Sequence, residues 1–483
     1  MNQATKSVRA GLVFWLGLCA PPLAAQQSET WPQFRGQQFN PVVDNSRLPE
    51  KWSTTENVEW STEVPGRGWS SPIVVDGKIF VTAVVTDGES KLPQTGTDYS
   101  NEYVDELTKQ GLSEEEVNQK VMDRDFELPD QVSLHYWLYC FDLNSGAESW
   151  KQEFHSGKPP GGRHRKNSFS SESPVTDGKL VYVSITNLGL FAYDLAGKSV
   201  WSKPLDNCPV YMEFGTGSSP VLCDDKLIIV NDNEKSSFVA AFDKSSGAQL
   251  WRTERLTPAD HPAGMPKSGW ATPYIWRTTI ADKPHTEIVT AGPGQAISYD
   301  LEGQELWRLT GITVAPAASS FAIDGVLYLN GGRGKPFYAI RSGATGELAV
   351  KPGAVPNEFV LWTSPLTGTY IPTPVAYDGG LYILSDNGII TKVDLKTGEK
   401  KFKSRVAAVG SAGADFTTSP WAYNGKVFCH SEQGDTYVFA AGDESKLLHV
   451  NSLGDLTLAS PAIVGDRVLL RTEKRLYSIR QVN

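Results

Sequence analysis

One frame recurs along this chain: a small residue and Pro, a short apolar strand, a tight acidic turn, a second strand, then a third strand running into Asp, a Gly turn and an aromatic residue. It reads most cleanly at Ser219-Pro220-Val221, Asp224-Asp225, Leu227 to Val230, Phe238 to Phe242, Asp243, Gly247 and Trp251. The start of the frame returns at Pro72, Pro174, Pro220, Pro273, Ser320, Pro374, Pro420 and Pro461, mostly at steps of 41 to 54 residues. The one long step, 102 residues from Pro72 to Pro174, marks a unit with a large insertion. A four-stranded sheet of this period buries its faces only against like neighbours, which is the logic of a propeller blade. A length of 483 residues would otherwise suggest two or three domains, but internal repetition overrides that prior. No Pro/Ser-rich or charged break separates the units.

The later half of the frame repeats as Asp142/Gly146/Trp150, Asp194/Gly197/Trp201, Asp243/Gly247/Trp251 and Asp300/Gly303/Trp307. Gly supplies the left-handed turn between the last two strands, and Trp offers a large apolar face to the seam between blades. Trp362 follows a longer turn, Phe402 stands where Trp is expected, and the eighth unit stops after its third strand near Leu476 to Ile479. The missing fourth strand is supplied by Val58-Glu59-Trp60, so the two ends of the chain close one blade and leave no open ring edge. The expectation is an all-β, eight-bladed propeller over 57–483. Within its first blade, 86–133 should hold two short helices: one capped by Ser100, bearing Tyr103, Val104 and Leu107 and ending at Gly111, and one begun by a Ser113/Glu116 capping box.

Lys6 and Arg9, the apolar run Ala10 to Ala20, and the small residues to Ala25 read as an export signal over 1–25, followed by an extended segment over 26–56. A periplasmic or extracytoplasmic location follows. Leu18 before Cys19 is not the small residue that a lipid-attachment signal wants, which argues against lipoprotein anchoring. No later apolar run has membrane-spanning length. The net charge of −10 repels phosphate backbones and argues against nucleic acid as a partner. Cys140, Cys208, Cys223 and Cys429 are neither adjacent nor in a Cys-x-x-Cys pair; buried thiols are expected, with a Cys208–Cys223 bridge left open.

In a four-stranded blade, the first and third turns share one face of the ring, while the second turns and blade-to-blade connections share the other. The first-class turns are short and alike, as at Asp76-Gly77, Asp177-Gly178, Asp324-Gly325, Asp378-Gly379 and Asn424-Gly425. The long loops, 86–133, 158–171, 231–237, 255–269 and 331–336, all fall in the second class. Ligand contacts usually sit on such loops. Two clusters there are candidates for a binding rim. Arg163, His164, Arg165 and Asn167, close to Glu172, would suit a carboxylate or other anion, against a plain solvated loop. Asn231, Asp232, Asn233 and Glu234 carry oxygen groups that suit a hard cation, but they lack full calcium-loop spacing, so turn capping competes with metal binding. No nucleophile elbow, His-Glu-x-x-His helix, phosphate loop or haem motif occurs, so no catalytic residue is assigned.

The Asp, Gly and Trp pattern resembles the pyrroloquinoline-quinone (PQQ) type of propeller repeat. Trp31 to Gly36 (WPQFRG), His164 to Pro174 (HRKNSFSSESP) and Phe416 to Phe428 (FTTSPWAYNGKVF) are similar to exported bacterial PQQ-like or BamB-like propellers. That resemblance carries two opposite implications. Quinone-dependent alcohol dehydrogenases hold PQQ over calcium, use an Asp base and usually contain a disulfide between adjacent cysteines, a pair this chain lacks. BamB-like propellers are non-catalytic envelope scaffolds. The expectation is a monomeric scaffold for an envelope protein, peptide or carbohydrate, without a cofactor; a PQQ- and calcium-dependent dehydrogenase is the alternative.

Overall fold

The computed structural model describes residues 29–87, 102–126, 132–164, 166–348, 358–406 and 414–481. The expected export signal, Ser100 and Arg165 lie outside the described residues. Strands assemble into eight antiparallel sheets whose first strands begin one residue after each predicted frame start, from Ile73–Val75 to Ala462–Val464. Successive first strands stand side by side, and the last of them meets the first, so the sheets close a ring. The eighth sheet is completed by Val58–Glu63 against Arg475–Ile479, with Trp60 opposite Ser478 and Ser61 opposite Tyr477. Closure by the two chain ends is as expected.

The short turns obey hairpin chemistry. Asp76-Gly77 has φ of 49° and 67°, and Asn424-Gly425 has 51° and 70°. Two consecutive left-handed residues match the twist of the flanking strands, and Asp-Gly and Asn-Gly tolerate that conformation best.

The marker Trp and Gly residues form a lock between blades. The indole N–H of Trp60, Trp150, Trp201, Trp251 and Trp362 donates to a backbone carbonyl of the next blade, at Leu143, Leu195, Lys244, Leu301 and Leu395 respectively. The ring plane lies on the turn Gly of that blade; a Cβ on Gly247 would stand 2.6 Å from Trp201. The Gly is therefore needed twice, for its backbone angle and for its missing side chain. Trp307 departs from this scheme. It is fully buried and donates to Glu287 Oε2 of its own blade at 2.7 Å. Blade five replaces the tight turn with an excursion that lays Gly346–Glu347 in parallel beside Trp307 and Arg308, so a fifth strand occupies the edge.

The extended segment from residue 29 runs inside the ring. Trp31 pairs with Val74 of blade one, and Thr176 of blade two donates to Pro32. The buried Arg35 guanidinium donates to the carbonyls of Phe39, Thr373 and Pro374. Phe39 packs edge-on against Tyr274 of blade four. Asn40 exchanges two hydrogen bonds with Ala376 of blade six, and Val42 bridges Ala422 of blade seven. One segment thus touches strands from most of the ring and plugs its centre.

The insertion in blade one carries α1 (Glu102–Lys109) and α2 (Glu114–Phe126). The capping box forms as read: Ser113 N–H donates to Glu116 Oε2 at 2.8 Å, and Glu116 N–H donates back to Ser113 Oγ at 3.3 Å. Leu107 and Val117 bury a small apolar contact between the helices. No helix among the described residues is long and apolar enough to cross a membrane.

Candidate functional site

The residue before each frame start is Ser or Thr in all eight units: Ser71, Ser173, Ser219, Thr272, Ser319, Thr373, Ser419 and Ser460. In seven units the following residue is Pro, which holds its predecessor extended. The fold brings all eight around the axis. Ser71 N–H donates to Ser173 Oγ at 2.8 Å, Ser173 to Ser219 at 2.9 Å, Ser219 to Thr272 at 3.1 Å and Thr272 to Ser319 at 3.1 Å. The relay continues from Ser319 to Thr373 at 2.9 Å, Thr373 to Ser419 at 3.0 Å and Ser419 to Ser460 at 3.0 Å. Seven of the eight hydroxyls, from Ser173 round to Ser460, accept a main-chain N–H of the preceding unit, so they also staple the blades together.

A cavity of about 370 Å³ stands on this hydroxyl ring, which is within the usual range for small-ligand sites. Phe34 of the central segment, Trp69, Phe214, Trp270, Tyr370, Ile371 and Leu458 supply apolar surface; His164, Lys166, Asn167 and Arg333 supply polar groups. The loops that contribute them are blade-to-blade connections and one second-class loop, the face expected from strand parity. Lys166 Nζ is buried and paired with Glu432 at 2.8 Å, and Glu432 also accepts from Thr417. Arg333 pairs with Asp386 and lies over the Tyr370 ring.

The two clusters singled out in the sequence are divided by the structure. His164 and Asn167 line the cavity. His164 packs edge-on to Phe214, and the Asn167 amide donates to the carbonyls of Phe214 and Thr216. Arg163 is outside the lining; it donates to the Asn167 carbonyl at 2.6 Å and stacks on Phe169. Glu172 is outside the lining but buried beside Ser171 and Thr216, which belong to it, and beside Thr186. Neither carboxyl oxygen has an aligned hydrogen-bond partner, and burial pushes the group up to about 7, only partly offset by those neighbours.

The 231–234 loop also lies outside the lining. Asn231 donates to Thr186 O, and Asn233 closes its own turn by accepting from Lys235 and Ser236. Glu234 holds the opposite loop through Lys267 N, Ser268 N and Ser268 Oγ. Asp232 and Arg255 form a wholly buried pair at 3.2 Å. Burial holds the Asp232 carboxyl at about 6, with Arg255 pulling the other way.

Two buried guanidiniums that sequence reading passed over lie outside the lining but bond to residues in it or beside it. Arg35 donates to the Thr373 carbonyl at 3.0 Å. Arg471 donates to Ser70 O at 3.1 Å and Ser70 Oγ at 2.6 Å, next to Trp69 and Ser71. The hydroxyl ring was visible as the Ser or Thr before each frame start. Nothing local marked Arg471.

The profile of the family described as outer membrane protein assembly factor BamB matches residues 135–404. The chain belongs to this BamB family. No curated protein matches it. Among solved structures, BamB from Moraxella catarrhalis is 12% identical, over 72% of this chain and 89% of that one, with a TM-score of 0.48. Quinohemoprotein alcohol dehydrogenase ADHIIG from Pseudomonas putida HK5 is 13% identical, over 93% of this chain and 80% of that one, with a TM-score of 0.54. A europium-containing methanol dehydrogenase is 12% identical, over 93% and 97%, with a TM-score of 0.45. The ADHIIG likeness is one of fold.

A quinone held over a divalent cation needs several oxygen ligands, carboxylates among them. The cavity of this BamB-family chain has no carboxylate in its described lining, and Glu432, bonded to Thr417 in that lining, is committed to Lys166. Among the described residues, no three His, Cys, Asp or Glu side chains are grouped to hold a metal. Cys140, Cys208, Cys223 and Cys429 are free, buried and outside the lining. These residues do not fit a calcium-bound quinone.

Proposed function

We propose that the protein is a non-catalytic, monomeric propeller of the cell envelope that holds a protein, peptide or carbohydrate at its long-loop face, with the axial cavity as the receiving site. The observation that carries this reading is the cavity's construction: aromatic walls above a floor of hydroxyls, seven of which accept a main-chain N–H. A nucleophile would instead face a general base. The family's scaffold members support the reading, and an extracytoplasmic location goes with it.

The test is recovery of bound material from the native envelope, identified by mass spectrometry, for the wild-type chain and a Trp270→Ala/Tyr370→Ala variant. The wild type should retain a ligand or partner that the variant loses while its melting temperature holds. A parallel redox arm adds PQQ and calcium and follows dye reduction with alcohols. Substrate-dependent reduction, or undiminished retention by the variant, overturns the proposal.

A further inference from the structure

We infer that the axial cavity is a receptor for a ring-borne anion, the carboxylate of an aromatic or uronic acid. The inference rests on the binding-module reading and adds the charge and shape of what is bound.

The first ground is a charge census. Arg35 spends its hydrogen bonds on carbonyls, and Arg471 spends its own on Ser70, leaving its Nε–H without an acceptor among the described residues. Both guanidiniums are buried, and neither pairs with an acid among the described residues. Burial draws both down to about 9, so both stay charged at neutral pH. The rim cations Lys166 and Arg333 are already balanced by Glu432 and Asp386. Just outside the lining, the buried groups are therefore two guanidiniums with no acid partner against one carboxyl, Glu172, which burial holds up to about 7 and so only partly ionised at neutral pH, an excess of positive charge in a chain whose net charge is −10. A buried cation without a counterion is costly, and an anion entering the cavity relieves that cost.

The second ground is the hydroxyl ring. From Ser173 round to Ser460, each oxygen is engaged by a main-chain N–H, while its own hydrogen has no acceptor among the described residues. A circle of uncommitted O–H donors is complementary to carboxylate oxygen. The third ground is shape: Trp69, Phe214, Trp270 and Tyr370 give flat walls in about 370 Å³, room for one or two rings. This polarity is opposite to that of a cation site.

The test is calorimetric titration of the full chain with two matched pairs, benzoate against benzyl alcohol and glucuronate against glucose. At least one acid should bind about tenfold or more tightly than its neutral partner; which acid does so tells an aromatic carrier from a saccharide. Arg333→Gln, which frees the negative charge of buried Asp386 at the rim, should shrink the preference several-fold, with its melting temperature read alongside. Arg471→Met should abolish it and Arg471→Lys should keep most of it; if Arg471→Met does not fold, Arg333→Gln still decides. Equal binding of acid and neutral members overturns the inference. So does the absence of any binding: if the Trp270/Tyr370 variant still loses its native partner, only the charge inference falls, and if it keeps that partner, the cavity reading falls too.

Discussion

Replacing Gly247 by Ala tests the lock between blades two and three. Gly247 has φ of +72°, and a Cβ there would stand 2.6 Å from Trp201 Cε3 and 2.9 Å from Cδ2. The left-handed backbone alone costs an Ala about 1–2 kcal/mol. Neither atom of the rigid indole can swing aside, so the ring must lift. Its hydrogen bond to Lys244 O at 3.0 Å then fails, for about 1 kcal/mol, and lost ring packing adds about another 1 kcal/mol. We predict a loss of about 3–4 kcal/mol for Gly247→Ala. Gly77→Ala is the control, since Gly77 has φ of +67° with nothing within 4 Å of the added atom; it should lose only the backbone part. Urea denaturation followed by circular dichroism measures both. In a Trp201→Ala background, Gly247→Ala should fall to the control's cost. Equal losses for Gly247→Ala and Gly77→Ala in the wild-type background would refute the docking argument.

Arg35→Met should orphan the carbonyls of Phe39, Thr373 and Pro374, lowering stability by on the order of 3 kcal/mol or more; limited proteolysis should then cut within 29–56, and Arg35→Lys, lacking the fork, should fall between. Glu172 has its folded pKa raised to about 7, above its unfolded value, so the folded state loses stability as pH climbs from about 4.5 to 7 and stays lower above it, by on the order of 3 kcal/mol. Glu172→Gln should therefore gain melting temperature over the wild type at pH 8 and not at pH 4, and an equal difference at both pH values would contradict this. His135 is bridged by Glu153 at 2.9 Å and Asp87 at 3.0 Å, which raise its pKa, Glu153 first. That clamp is complete below about 6.5 and is lost as pH rises through the raised folded value, so His135→Gln should speed amide exchange at the ends of Lys78–Asp87 and Ser133–Asp142 at pH 6 and leave it unchanged at pH 9.

Much of the ring was legible because its signals are local. Pro before a strand, Asp-Gly at a hairpin and Trp after a Gly turn each act within a few residues, and the closing of the last blade by Val58 to Trp60 beside the strand near Tyr477 followed from a strand count alone. The Ser113/Glu116 box was legible for the same reason. Partners far apart in the chain were not. Arg35 meets carbonyls 338 and 339 residues away, and Arg471 meets Ser70 across 401. The candidate rim split for a related reason: residue type says that Asp232 and Glu234 carry carboxylates, but only the fold turns one onto Arg255 and the other onto Ser268. Trp307 carries the same local signature as its counterparts. What diverts it is the long excursion of the following blade.

The segment that begins at Trp31 has a consequence for traffic. It fills the interior from one side and presents Phe34 to the cavity on the other, so among the described residues the cavity is floored as a cup is. A guest that leaves by the loop face passes Trp270, Tyr370 and Arg333, so those side chains bear on how long it stays.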